Sequence, residues 1–202
     1  MASVIEICNI ALSRIGNSRS INSLNEASKE ADVCSLHFDS CRDATLADAD
    51  WNFAIKRVAL ADTGNPPPDW SYAYTYPTDC MRCIEIMQPG IRNPPLEAMK
   101  PQYVIGSDDT GTGKLIFTDQ PSAWLKYVAL VTDVNMFDPT FRDALAWRLA
   151  AEIAMPLTAS ADLGNNALNL YGAMVLKAGA HSMNESQEPP PPESEFTLAR
   201  LS

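Results

Sequence analysis

Apolar positions near the start of the chain recur at helical spacing, with Val4, Ile5, Cys8, Leu12 and Ile15 on one face. Ser3 and Glu6 form a capping-box pattern, in which a hydroxyl and a carboxylate each satisfy a free backbone N–H of the first turn. Gly16 supplies the stop. After an Asn/Ser-rich linker, Ser23 and Glu26 repeat the capping pattern. They predict a second helix from about Asn25 to Ala49, with Ala27, Ala31, Cys34, Phe38 and Cys41 facing inward.

The period then changes. From Trp51 onward, Phe53, Ile55, Val58 and Leu60 read as a strand. Pro66, Pro67 and Pro68 interrupt it, and Tyr72, Tyr74 and Tyr76 then alternate with Ser71, Ala73 and Thr75. A strict period of two predicts a strand with one aromatic face. Met81 to Met87 continues as a strand. Tyr103 to Ile105 and Lys114 to Phe117 flank a Gly/Asp-rich turn as a hairpin, and Lys126 to Val131 adds one more strand.

Helical spacing returns at Asp138-Pro139, an acceptor at the N-cap followed by a ring with helical φ. The helix from Pro139 to about Met155 is apolar nearly all round. Phe141, Leu145, Leu149 and Ile153 form a stripe, with Ala146, Trp147, Ala150 and Ala154 beside it, so it must be covered on several sides. Pro156 should end it. A fourth helix is expected over roughly Ala161 to Asn184, carrying Leu163, Leu168, Leu170, Tyr171, Met174 and Leu176, with Gly164, Gly172 and Gly179 thinning its surface. Beyond Glu185, Pro189 to Pro192 holds an acidic stretch extended, and Phe196, Leu198 and Leu201 form a small apolar hook. Two readings of this end stand open: a disordered tail, or an arm that docks on a neighbour.

The pattern predicts an α+β protein: an antiparallel helical bundle from residues 1–50 and 138–185, an inserted β region over 51–137, and an extended Pro-rich arm over 186–202. At 46% hydrophobic, the 202 residues can bury a core. The 20% charged content lies slightly below the ~25% of ordinary soluble chains, which hints at surface covered by a partner. Fifteen Lys and Arg against 25 Asp and Glu give a formal charge of -10, which argues against gripping nucleic-acid phosphates. No apolar run is long enough to span a membrane, and no basic-then-apolar leader is evident at the start. Five cysteines without such a leader suggest reduced thiols in a cytosolic setting.

Candidate chemistry is thin. Gly111-Thr112-Gly113-Lys114 lacks the P-loop's first Gly, where Asp108 stands, and its Ser or Thr, where Leu115 stands. It reads as a hairpin turn. Cys80 and Cys83 form a lone C-x-x-C in an apparent strand, without a second ligand pair, and are expected as buried structural thiols. Cys34, His37 and Cys41 share one helix face and read as core cysteines beside an interfacial histidine. The pairs Asp48/Asp50 and Asp108/Asp109 read as solvated acids. With two histidines and no nucleophile beside either, neither enzymatic activity, a cofactor nor a metal is expected. Trp51 and Phe53, at the switch from helix to strand, are expected to fasten the β region to the bundle.

Three motifs in order carry a family resemblance. Ile7 to Gly16 is similar to an "N-x-A-L-x-x-I-G" opening helix, Arg42 to Ala54 to an "R-D-x-x-L…W-x-F-A" junction, and Tyr72 to Arg82 to a "Y-x-Y-x-x-P-x-D-C-x-R" strand. Together they resemble the head-to-tail adaptor of short-tailed bacteriophages, the tail tubular protein A or gatekeeper family, over about Ser3 to Asn184. The polyproline tail has no counterpart. The resemblance implies a structural virion protein at the head–tail junction, assembled in the host cytoplasm. It implies a homo-oligomeric ring, in the family a dodecamer, between the portal protein and a tail nozzle of the tail tubular protein B type, with tail fibres as possible neighbours. Double-stranded DNA would pass through its channel without specific binding, retained during packaging and released at ejection.

On that reading Phe141, Leu145, Trp147 and Leu149 pack between subunits. Tyr72, Tyr74 and Tyr76 face the nozzle, and Phe196, Leu198 and Leu201 reach the portal or an adjacent subunit. Two alternatives remain: a head-completion connector of a long-tailed phage, or a small metal or redox protein using Cys80/Cys83 or Cys34/His37/Cys41.

Overall fold

The computed structural model describes residues 3–90 and 100–185. Among them the fold is mixed α+β, with four α-helices and two three-stranded antiparallel sheets. The chain divides into two compact units, one drawn from Met1–Ile55 with Val128–Glu185 and the other from Lys56–Tyr127.

In the helical unit, α1 spans Val4–Arg14. Ser3 Oγ accepts from the Glu6 backbone N–H at 3.1 Å. Gly16, at φ +75°, lets its own N–H reach the Ser13 carbonyl and that of Asn17 reach Leu12, the paired bonds of a Schellman stop. Helix α2 spans Lys29–Asp48, so it begins about four residues later than the capping pattern predicts. Ser23 and Glu26 instead build an isolated turn: Ser23 Oγ accepts from Asn25 N–H, and Glu26 accepts from Asn22 N–H and the Ser28 hydroxyl. Ser28, extended at φ −138°, breaks that turn and is itself the N-cap, accepting from Ala31 N–H. Ala27 therefore lies outside the helix and is exposed, while Ala31, Cys34, Phe38 and Cys41 are buried.

Helix α3 spans Pro139–Thr158 and packs against α1, α2 and α4. Pro156 lies inside its last turn instead of ending it. A proline there forfeits a single intrahelical bond. The Pro156 carbonyl in turn accepts from Lys29 Nζ at 2.5 Å, a cation where the helix end carries partial negative charge. Helix α4, Ala161–Glu185, follows after Ala159, which adopts the left-handed conformation at φ 54°. It lies close on α3 at Gly164, where an added Cβ would stand 3.2 Å from the Ala151 carbonyl.

In the β unit, β1 (Ile55–Ala59), β6 (Trp124–Ala129) and β3 (Cys80–Met87) form one sheet in the order β1-β6-β3. The other is ordered β2-β5-β4, from Tyr72–Thr75, Lys114–Thr118 and Tyr103–Ser107. The expected hairpin is β4–β5, with Ser107 opposite Lys114. Strand β1 starts later than the pattern suggests, because Asn52–Ala54 close a 3-10 turn first. Strand β6 starts two residues earlier than expected, directly after Ala123, whose carbonyl accepts from Leu60 N–H.

Candidate assembly surfaces

Four leucines of α4 are exposed among its described residues. Ala167, Tyr171 and Ala178, successive positions on one face, are buried. On the flanks Leu163 and Leu170 are both 37% exposed, Leu168 is 48% and Leu176 is 79%. At 100° per residue, Leu168, Gly172, Leu176 and Gly179 share a strip turned away from the buried line. Both glycines have open space where a Cβ would stand. The helix thus carries a covered apolar face and an open one. Its anchorage is polar as well: the Tyr171 hydroxyl donates to Asp48 Oδ2 at 2.6 Å, and the Arg148 guanidinium lies over the Tyr171 ring. Burial, then the hydrogen bond to Asp48, pushes the Tyr171 phenol up to about 12.

The residues expected between subunits on α3 sit elsewhere. Phe141, Leu145 and Leu149 are fully buried in the core of the helical unit, because α3 is already covered by three helices of its own chain. Trp147 is half-buried beneath the Arg14 guanidinium, 4.0 Å from its ring centre, and Arg14 also pairs with the Asp143 carboxylate. Trp51 and Phe53 join Phe137 and Phe141 in an aromatic cluster of the same unit, with ring centres 4.6–6.4 Å apart. Trp51 Nε1 donates to the Thr45 carbonyl at 2.7 Å.

In the β unit, the register places Tyr72 opposite Thr118 and Tyr74 opposite Ile116. Tyr74 is only 2% exposed, and its hydroxyl donates to the Gln120 carbonyl. Ala73 is buried too, since residues 61–63 bond along the other edge of β2 and both its faces are covered. Tyr74 is therefore core and cannot face a nozzle. Tyr72, stacked on it, and Tyr76, beyond the strand end, remain half-exposed. Phe196, Leu198 and Leu201 lie outside the described residues.

The remaining candidates are placed as follows. Asp108 accepts from Thr112 N–H and the Thr110 hydroxyl and caps the β4–β5 turn, whose Gly111 has φ +69°. The Gly113 backbone N–H first, and then the Thr110 hydroxyl, hold the Asp108 carboxyl below the usual carboxylate range. Cys34 and Cys41 are buried, with His37 half-buried beside them. Burial pushes the Cys41 thiol up to about 12. Among the described residues no group of three or more His, Cys, Asp or Glu is arranged to hold a metal ion. A shallow groove of about 520 Å³ along α1, lined by Ser3, Glu6, Asn9, Ser13 and Asn22 with three isoleucines, offers no nucleophile–base pair. Asn9 there clamps the backbone of Ile21 through both its N–H and its carbonyl.

One arrangement went unpredicted. Cys80 and Cys83 are half-buried, with their sulfurs 3.8 Å apart, beside Tyr76 and Lys114. The C-x-x-C spacing was visible in the sequence; the Tyr76–Lys114 neighbourhood required the β2–β5 register. No protein-family model matches the chain, and no curated protein matches it.

Proposed function

We propose that this chain is a structural adaptor at the head–tail junction of a short-tailed bacteriophage, assembling as a ring between portal and nozzle and lining a channel for DNA. The observation that carries the reading is the ordered set of three motifs, Ile7 to Gly16, Arg42 to Ala54 and Tyr72 to Arg82. On this reading residues 1–50 and 138–185 act as one helical bundle, the β region is its insertion, and residues 186–202 are the arm. Two physical features support it. The strip Leu168–Gly172–Leu176–Gly179 is an apolar face with room for a neighbour's backbone to approach, which small residues permit. The formal charge of -10 suits a channel through which phosphates slide instead of sticking.

The subunit contact therefore shifts from α3 to the open face of α4. Tyr72 and Tyr76 remain as β-region contacts for the nozzle. The test is a double substitution, Leu168→Ser with Leu176→Ser, assayed for binding to the portal protein of the same genome. Leu176 is largely solvated and Leu168 about half-buried, so folding stability should fall by only about 1–2 kcal/mol, leaving a folded chain. Ring formation on the portal should be lost. Unimpaired rings would remove α4 from the interface.

A further inference from the structure

We infer that Cys80 and Cys83 form a thiol–disulfide exchange site, which closes to an intramolecular disulfide when oxidised by a low-molecular-weight disulfide such as glutathione disulfide. Three observations place the chemistry. The two sulfurs lie 3.8 Å apart, with Cys80 at the point where the Pro77–Cys80 turn enters β3. Both thiols are half-buried, in contrast to the buried Cys8, Cys34 and Cys41, so a small disulfide can reach them. Finally, the β2–β5 register sets Thr75 opposite Leu115, and the next step along brings Tyr76 N–H onto the Lys114 carbonyl. That pairing lays the Lys114 ammonium over the Tyr76 ring at 5.2 Å, beside the thiols.

The surroundings divide the two sulfurs into roles. Cys83 is held down to about 7, first by the hydrogen bond from Cys80, then by the Tyr76 hydroxyl and the Lys114 charge. Cys80 is pushed up, first by that same pairing and then by burial. The Tyr76 phenol is pushed up, first by burial and then by its bonds to the thiols, and so stays a donor. Cys83 is therefore the attacking thiolate and Cys80 the resolving thiol.

The exchange balances without any further reactant. Cys83 Sγ⁻ attacks one sulfur of glutathione disulfide, its S–S bond breaks, and one glutathione leaves as thiolate and takes up a proton. Cys80 then gives up its thiol proton to solvent, and its sulfur attacks the Cys83 sulfur of the mixed disulfide. The second glutathione leaves and is protonated. Two protein thiols and one disulfide become one protein disulfide and two glutathione thiols. Cys80 and Cys83 both lie in β3, where extended backbone sets residues three apart at ~10 Å between Cα atoms, beyond the about 7 Å that a disulfide spans. Closing from 3.8 Å to the ~2.05 Å of a disulfide therefore requires the first residues of β3 to bend, next to the Pro77–Cys80 turn. The inference does not rest on the adaptor reading, and its test uses the isolated protein, so either can fail without the other.

The test is equilibration of the folded full chain with glutathione disulfide, followed by trypsin digestion without reductant. Trypsin cuts after Arg82, between the two cysteines, so the bond holds peptides 58–82 and 83–92 together until a reductant is added. The C80S variant should instead accumulate glutathione on Cys83. Iodoacetamide labelling of Cys83 should be half-maximal near pH 7, against about 8.5 for an ordinary thiol. In K114M that midpoint should rise. Separate peptides 58–82 and 83–92 from the oxidised wild type would overturn the inference. So would an ordinary labelling midpoint for Cys83.

Discussion

At the scale of single residues, two positions make the energetics of this chain testable. Ala159 closes α3 in the left-handed region, at φ 54°, with its N–H bonded to the Met155 carbonyl. A Cβ there is strained by about 1–2 kcal/mol, and glycine is the usual solution. Ala159→Gly should therefore stabilise by about 0.5–1 kcal/mol after the added unfolded-state entropy is counted, the reverse of the usual sign for this substitution. Denaturant unfolding reads the shift. Tyr171 provides a pH signature. Its folded value, about 12, lies above the ordinary 10, so its contribution is fully present below pH 10 and is lost as pH rises from 10 through about 12. Tyrosinate absorbance should show a late-titrating group that disappears in Y171F. A Y171F titration identical to that of the wild type would contradict the Tyr171–Asp48 contact.

Among the elements, legibility followed locality. Helix α1 was readable at both ends because Ser3 and Gly16 act through bonds to residues three to five positions away. The β4–β5 hairpin was readable because its turn chemistry is contiguous. Helix α2 was misplaced by a Ser-x-x-Glu pattern whose bonds close a turn and go no further, since Ser28 is extended. The period of two found β2 but assigned Tyr74 to a surface, because no pattern within a strand reveals that both its faces are covered. Likewise, the apolar circumference of α3 signalled cover on every side. Whether that cover came from the same chain or a neighbour was decided only by α1, α2 and α4 packing on it. Leu149→Ala should accordingly cost about 2–5 kcal/mol, since the side chain is fully buried and leaves a cavity. A loss below about 1 kcal/mol in chemical denaturation would contradict that placement.

For the whole molecule, an apolar, open helix face, an acidic chain and three ordered motifs together support the proposed ring-forming adaptor. The α4 strip, Tyr72 and Tyr76 are the described surfaces assigned to partners, while the arm residues Phe196, Leu198 and Leu201 enter only through their sequence pattern. Electron microscopy of the full chain mixed with the portal protein from its own genome tests the central claim most directly. An added ring is expected at one end of each portal, weakened when the chain is truncated after Glu185 and absent when Leu168 and Leu176 are serine. Bare portals at saturating concentrations of the folded full chain would contradict it.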